Sequence, residues 1–383
     1  MSNTISPSTA ASIASRVYDT RKNKSFQSDF HLDFIKNFKI TNSQIQGVSG
    51  GLVNQLLNRS TGFALTAQGI SPQFKQHHII SVRGTVFTSF ADWLTNGNIA
   101  ITVGPKSLEV HSGFEKAFSS MQSEFNDYVA LHKPHCLHVV GHSLGGAIAQ
   151  LTALWASEKG IDTKLYTFGA PRVVTERFVH QASTNIEHYR VTHGADPVPA
   201  VPVWPFSHTV GEYQTAMNSG SFFSIGAHSM EKATPGYVNT VASYKSYSAM
   251  NRALKTLNHK HTVLKYDQRH NASFSQRWQQ IITDALITLL KKTGQYALIV
   301  AQASLSHGLQ FYDILARCLH GIVVKSTDEI AEELRGLLGH MLVFAGNRIQ
   351  TVKEMSVKFI RWVLGLMIKT LYTTAKQAIE LVS

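Results

Sequence analysis

The sequence predicts an α/β protein with a mainly parallel central sheet and, after it, a helical C-terminal part. Three observations carry this. The apolar run Cys136-Leu137-His138-Val139-Val140 passes through the tight, glycine-rich Gly141-His142-Ser143-Leu144-Gly145-Gly146 into a small, helix-favouring stretch over residues 147–154. Strand-like runs over residues 78–82, 136–140, 164–168 and 188–192 alternate with helical stretches, as strands joined by helical crossovers do. From about Asn251 onward the pattern is helical. The expected division is therefore an α/β unit over residues 1–250 and a basic, amphipathic helical domain over residues 251–383.

Taken in order, Ser6-Pro7 supplies an N-cap and a first helical position, and Ala10, Ile13, Ala14 and Val17 follow at helical spacing. Residues 42–51 are polar or contain glycine and receive no assignment. Alternation from Gly62 leads to a strand at His78-Ile79-Ile80-Ser81-Val82, which ends in Arg83-Gly84-Thr85. The loop beyond it reads as a short amphipathic helix carrying Phe87, Phe90, Trp93 and Leu94. Val110-His111-Ser112-Gly113-Phe114 opens a helix to about Leu131, which leads into the strand before Ser143. Gly160 ends the next helix, residues 164–173 form a strand broken by Gly and Pro, and His188-Tyr189-Arg190-Val191-Thr192 is a further strand.

With 383 residues the chain has room for a sizeable core. Its net charge of +12 is uneven, because residues 251–383 hold 17 Lys and Arg against 9 Asp and Glu, which is +8 of the total. A basic helical tail suits an anionic partner such as a phospholipid surface, or serves only as a solvated face. No nucleic-acid fold signature accompanies it. The two cysteines, Cys136 and Cys318, suggest neither a disulfide framework nor a metal site. The first seven residues lack a basic and an apolar region, so no conventional secretory signal is expected, and no run reaches the ~18 apolar residues of a membrane span.

The chemistry is concentrated at Ser143. Gly141-His142-Ser143-Leu144-Gly145 has the G-x-S-x-G spacing of a nucleophile elbow, where glycines let strand and helix approach and the serine stands alone at the apex. A serine hydroxyl is a weak nucleophile, so a histidine must take its proton and an acid must orient that histidine. In α/β-hydrolases both follow the serine on loops beyond strand ends, acid first. Asp196 fits, since it follows an apolar strand and is held between Gly194 and the prolines Pro197 and Pro199. Eight histidines follow it. His208 lies in a strand-like run, whereas His228 lies in a glycine-containing loop that suits a base moving slightly between nucleophile and leaving group.

With these residues in view, the chain from Gly62 to Tyr237 resembles the class 3, or fungal-lipase-like, lipases. The resemblance rests on Val82-Arg83-Gly84-Thr85, Asp92-Trp93, Val110-His111-Ser112-Gly113-Phe114, the Ser143 elbow, Thr167-Phe168-Gly169-Ala170-Pro171-Arg172-Val173, Asp196 with Pro197-Val198-Pro199, and His228-Ser229-Met230, all in the family's order. It implies an α/β-hydrolase fold with Ser143 as nucleophile, Asp196 as acid and His228 as base. It also implies Thr85 and the Leu144 backbone N–H as oxyanion donors, and Phe87, Phe90, Trp93 and Leu94 as a lid that meets lipid. Ala233-Thr234-Pro235-Gly236-Tyr237 departs from the pattern and requires any helix after His228 to be short.

In the tail, Ser326-Thr327-Asp328-Glu329 has the form of a capping box opening a helix that ends near Gly346. In the final helix Lys358, Arg361, Gly365, Lys369, Tyr372 and Lys376 share one face while apolar residues fill the rest. This suits a helix lying on a lipid interface, and equally a bundle helix packed against residues 281–299 and 334–343.

The expected function is lipid carboxylester hydrolysis without metal or cofactor, with phospholipase A-type cleavage of membrane glycerophospholipids. Two alternatives stand beside it: a triacylglycerol lipase or esterase, and a membrane-binding or pore-forming protein acting through its tail. A lipase of this type with a basic appendage also resembles antibacterial lipase effectors delivered by bacterial contact-dependent secretion. That resemblance implies a neutralising immunity protein as partner, while the apolar lid and the basic tail suggest peripheral membrane association.

Overall fold

The computed structural model describes residues 3–22, 30–47, 61–84, 101–209, 213–217, 221–231, 236–252, 263–305 and 310–382. Thr85 and the expected lid residues Phe87, Phe90, Trp93 and Leu94 lie outside them. The central feature is a seven-stranded sheet of α/β-hydrolase type. Its strands are β1 (Phe38–Gly47), β2 (Thr61–Gly69), β3 (His77–Val82), β6 (Cys136–His142), β7 (Asp162–Phe168), β9 (Glu187–His193) and β11 (Tyr213–Met217), side by side in that order. β1, β2 and β3 pair antiparallel, and from β3 to β11 every pairing is parallel. A small antiparallel sheet joins β4 (Ile101–Val103), β5 (Glu109–His111), β8 (Val174–Thr175) and β10 (Phe206–Ser207).

Both faces of the large sheet are covered, which is why its central strands read as apolar runs. Alternate side chains divide them. Ile80, Val82, Leu137, Val139 and Leu165 meet α3 (Ser112–His132) and α4 (Leu144–Glu158) in one core. Ile79, Val140, Tyr166, Phe168 and Tyr189 face a second core with α1 (Pro7–Arg16), α2 (Leu32–Asn37), α6 (Tyr237–Ala242) and α7 (Tyr247–Arg252). The opening helix begins as its sequence requires, the Ser6 side chain accepting from the Thr9 N–H. The short α5 (Val179–Ser183) precedes β9. The edge strand β1 occupies part of the polar stretch left unassigned by sequence. Its irregular pairing with β2, with register shifts between Ile40 and Gln46, explains the absence of a clean alternation.

The C-terminal part contributes α8 (Gln276–Lys292), α9 (Tyr296–Leu305), α10 (Gln310–Lys325), α11 (Asp328–Phe344) and α12 (Val357–Val382). Their apolar faces extend the core that contains α3 and α4. Two local expectations are corrected. The N-cap of α11 is Thr327 and its side chain makes no capping hydrogen bond, so Ser326 and Glu329 do not form a capping box. In α12, Tyr372 is buried while Lys358, Arg361, Gly365 and Lys369 are exposed, together with Trp362 at 43%. The helix packs against α10 and α11 rather than along α8, which carries the Tyr372 side of the stripe inward. No described helix is long and apolar enough to cross a membrane.

Candidate active site

Ser143 stands between the end of β6 and the start of α4 with φ +57° and ψ −132°. A non-glycine residue in this region is strained, and the surrounding packing holds it there. The packing admits no side chain at the flanking glycines. A Cβ on Gly141 would come within 2.3 Å of the Gly145 carbonyl oxygen, and one on Gly145 within 2.3 Å of the Val82 carbonyl oxygen. Strand β6, the turn and the end of β3 therefore close on one another through bare backbone.

The Ser143 hydroxyl donates to His228 Nε2 at 2.7 Å, and His228 Nδ1–H donates to Asp196 Oδ2 at 2.8 Å. Asp196 and His228 are fully buried and Ser143 is 1% exposed. Asp196 follows β9 in the turn before Pro197, where its Oδ1 accepts the Val198 N–H at 2.9 Å. His228 ends a 3-10 turn, Ile225–His228, rather than leading directly into a helix. The next helix, α6, begins at Tyr237 after Gly236 as its N-cap and is only six residues long. The loop of His228 is tied to that of Asp196 by the Ser224 N–H, which donates to the Ala195 carbonyl at 2.7 Å.

Three side chains that sequence reasoning did not assign to the site complete it. The Tyr237 hydroxyl donates to Asp196 Oδ2 at 2.7 Å and accepts the His193 N–H at 3.1 Å. Burial, and then the neighbouring carboxylate, push the Tyr237 phenol well above its usual range, so it remains a donor. His142 stacks on His228 with centroids 4.7 Å apart and donates from Nε2 to the His228 carbonyl at 2.9 Å. Burial holds His142 well below the usual imidazole range. It is therefore neutral, and its Nδ1 accepts from Tyr18 Oη at 2.9 Å. His208 is engaged elsewhere, donating from Nε2 to the Pro199 carbonyl at 2.8 Å.

Leu144 is the first residue of α4, where a helix leaves backbone N–H groups without intrahelical partners. Gly84, at the end of β3, lies so close that a Cβ on it would sit 3.2 Å from the Ser143 Cβ. A cavity of about 320 Å³ borders the site, lined in part by Tyr18, His142, Ser229 and Glu231, with Leu381 and Val382 from the end of α12.

The segments after β7 and after Asp196 are held by the C-terminal helices. Trp204 packs on Phe311 of α10, Tyr372 of α12 accepts the Val203 N–H at 3.3 Å, and Gln279 of α8 accepts from the buried Arg172 at 3.0 Å.

Residues 79–206 match the family model described as lipase, class 3. This segment is similar to the class 3 lipases. Ser143 and Asp196 lie inside the matched segment, and His228 lies beyond it. The chain is 33% identical over 175 residues to the secreted mono- and diacylglycerol lipase 1 of Fusarium solani, covering 42% of this chain and 50% of that one. It is 29% identical over 187 residues to the lipase of Rhizomucor miehei, covering 44% and 52%. It is also 39% identical over 98 residues to the toxin TseL of Vibrio cholerae, covering 25% of this chain and 15% of that one. The match thus spans about half of the fungal relatives and a small part of the toxin. A solved structure of the Rhizomucor miehei lipase propeptide complex superposes with a TM-score of 0.42 at 21% identity, covering 65% of this chain and 81% of that one.

Proposed function

We propose that the protein is a serine carboxylester hydrolase that cleaves lipid esters. The observation that carries the reading is the buried chain from Ser143 Oγ through His228 to Asp196, with bonds of 2.7 and 2.8 Å. In this reading Ser143 Oγ attacks the ester carbonyl carbon and His228 Nε2 takes its proton. The tetrahedral oxyanion collapses as the same proton passes to the leaving alcohol, which departs and leaves an acyl-serine. Water then attacks the acyl carbon with His228 again as base, and collapse returns the proton to Ser143 and releases the fatty acid. Asp196 holds the imidazole tautomer that presents Nε2 to the serine.

The Leu144 N–H is the assigned oxyanion donor from the start of α4, with Thr85 as the second, beside Gly84. Because Ser143 is 1% exposed, an ester reaches it only after a cover is displaced. Phe87, Phe90, Trp93 and Leu94 are the proposed cover.

For the substrate we propose glycerophospholipid in a membrane, with release of one acyl chain. The support is the exposed set Lys358, Trp362 and Lys369 on α12, which joins cationic groups to an aromatic ring that favours the water–lipid boundary. Residues 251–383 then act as a helical unit that holds the Asp196 loop and meets the lipid. The similarity to a toxin supports a further reading, in which the protein is an effector delivered into another cell and neutralised by an immunity protein.

Product analysis tests the substrate. Purified wild type and Ser143→Ala are incubated with mixed phosphatidylethanolamine and phosphatidylglycerol vesicles and, separately, with a triacylglycerol emulsion. Fatty acid and lysophospholipid from the wild type alone are expected. Acid from triacylglycerol only would replace the phospholipid reading, and hydrolysis by both proteins would reject the serine mechanism.

A further inference from the structure

At the other end of the sheet from Ser143, about 20 Å down strand β6 at ~3.3 Å per residue, lies a group of side chains that hydrolysis does not use. Strands β3, β6 and β7 begin side by side, with His77 opposite Cys136 and Cys136 opposite Asp162. His138, two residues along β6, shares the face of Cys136. His77 Nδ1 lies 2.9 Å from His138 Nε2, Cys136 Sγ lies 3.9 Å from the same nitrogen, and one donor atom from each of the three residues falls within 4.8 Å of the others. Cys136 and His138 are fully buried and His77 is 6% exposed. Phe74 stands edge-on to both imidazoles and Phe38 to His138.

We propose that His77 Nδ1, Cys136 Sγ and His138 Nε2 bind a zinc ion, with the exposed Asp162 carboxylate as the fourth ligand at the rim. Two imidazoles, a thiolate and a carboxylate form a donor set for a tetrahedral divalent ion of intermediate softness. Bonds of about 2.0–2.3 Å place such donors about 3.3–3.6 Å apart. The short edge must open by a few tenths of an ångström and the longest must close by roughly 1 Å, which side-chain rotation supplies.

The surroundings of the two rings fit ligation. A ligating imidazole presents its second nitrogen as an N–H donor to an outer partner. His138 Nδ1 has Tyr166 Oη at 3.1 Å, and His77 Nε2 has the Asn3 side-chain amide at 3.3 Å. Without an ion the amide nitrogen of Asn3 donates to His77, His77 to His138, and His138 to Tyr166. With an ion the His77–His138 bond is replaced by two metal bonds and Asn3 turns its oxygen to His77, while Tyr166 keeps its role as acceptor.

Ligation takes Cys136 as the thiolate, so binding releases its proton to solvent. The nearby Lys164 is paired with Glu187 at 2.5 Å. The ion would tie together the starts of three adjacent strands and stabilise the fold, apart from the chemistry at Ser143.

Cobalt(II) is the probe. The full chain is stripped with a chelator and titrated with Co²⁺, reading absorbance, and then with Zn²⁺, reading the melting temperature. One equivalent of Co²⁺ with tetrahedral d–d bands and a thiolate-to-cobalt charge-transfer band is expected. The charge-transfer band should vanish in Cys136→Ser and persist in Cys318→Ser. Zn²⁺ should displace the cobalt and raise the melting temperature of the wild type and of Cys318→Ser but not of Cys136→Ser. Asp162→Asn, at the exposed rim where folding is not at stake, should weaken binding about tenfold or more. No stoichiometric binding, a spectrum without the thiolate band, or a band that survives Cys136→Ser overturns the site. Unchanged affinity in Asp162→Asn overturns the fourth ligand.

Discussion

Tyr237 Oη and His228 Nδ1 converge on a single oxygen of Asp196, Oδ2, at 2.7 and 2.8 Å. The other oxygen takes the Val198 N–H, so every hydrogen bond to this buried carboxylate points the same way, fixing it as an acceptor. Tyr237→Phe removes one donor and leaves the other two. In the proposed reaction kcat should fall about tenfold, the value of one hydrogen bond to a charged group, with KM unchanged. Steady-state kinetics on a soluble short-chain ester would check this, and an unaltered kcat would assign Tyr237 to folding alone.

Gly145 and Gly365 give opposite expectations for the same substitution. Gly145→Ala drives a methyl group into the Val82 carbonyl and the Gly84 nitrogen, 2.3 and 2.7 Å away, and should destabilise by about 3 kcal/mol. Gly365→Ala adds a methyl on the exposed face of α12, with no atom of the described residues within 4 Å, and should stabilise by about 0.5–1 kcal/mol. Urea unfolding midpoints distinguish the two.

Gln279 is the buried side chain of α8 that accepts from the Arg172 guanidinium, whose pKa burial lowers to about 10. Gln279→Leu leaves that cation short of an acceptor and should cost about 2–3 kcal/mol. Limited proteolysis should then open the junction between the segment after β7, which holds Arg172, and the C-terminal helices. A variant as resistant as the wild type would show that the contact does not couple them.

His188 and His111 are buried as neutral imidazoles, and burial lowers the pKa of each to about 3. His188 is held between Thr167 and Thr209, at 2.9 and 2.8 Å. Between pH 6.5 and 3 the unfolded chain binds protons there and the folded chain does not. Stability should therefore fall as pH drops through this window, by about 1.4 kcal/mol per unit for each histidine. His188→Gln should be less stable at pH 7 and flatter against pH by one such slope.

The elbow was legible because its demands are local: Gly141 and Gly145 are spaced for a turn in which backbone meets backbone, and the structure closes the turn there. Strand ends and chain order pointed to Asp196, and the glycine-containing loop together with the family resemblance pointed to His228; the structure places both in one hydrogen-bonded chain with Ser143. Tyr237 was not, because its bond to Asp196 crosses 41 residues and it stands in a Pro-Gly segment that reads as a disruption. The juxtaposition of His77 with Cys136 depends on the register of two strands 59 positions apart, which no local pattern encodes. Strand β1 escaped for another reason: as an irregular edge strand with polar residues, it lacks the alternation that burial on one face imposes. The tail's helical character was plain, but which face of α12 turns inward depended on its neighbours α10 and α11.

Covalent labelling of Ser143 tests the central claim most directly. Wild type, Ser143→Ala and His228→Gln are treated with an alkyl phosphonate ester, and the adducts are counted and mapped by mass spectrometry alongside lipid hydrolysis. The account predicts one adduct per chain, on the peptide containing Ser143, with stoichiometric loss of activity. It predicts no adduct in Ser143→Ala, labelling slowed by orders of magnitude in His228→Gln, and hydrolysis down roughly 10⁶-fold in either variant. Full hydrolysis by a chain labelled at Ser143, or labelling at another residue that accounts for the lost activity, would contradict it.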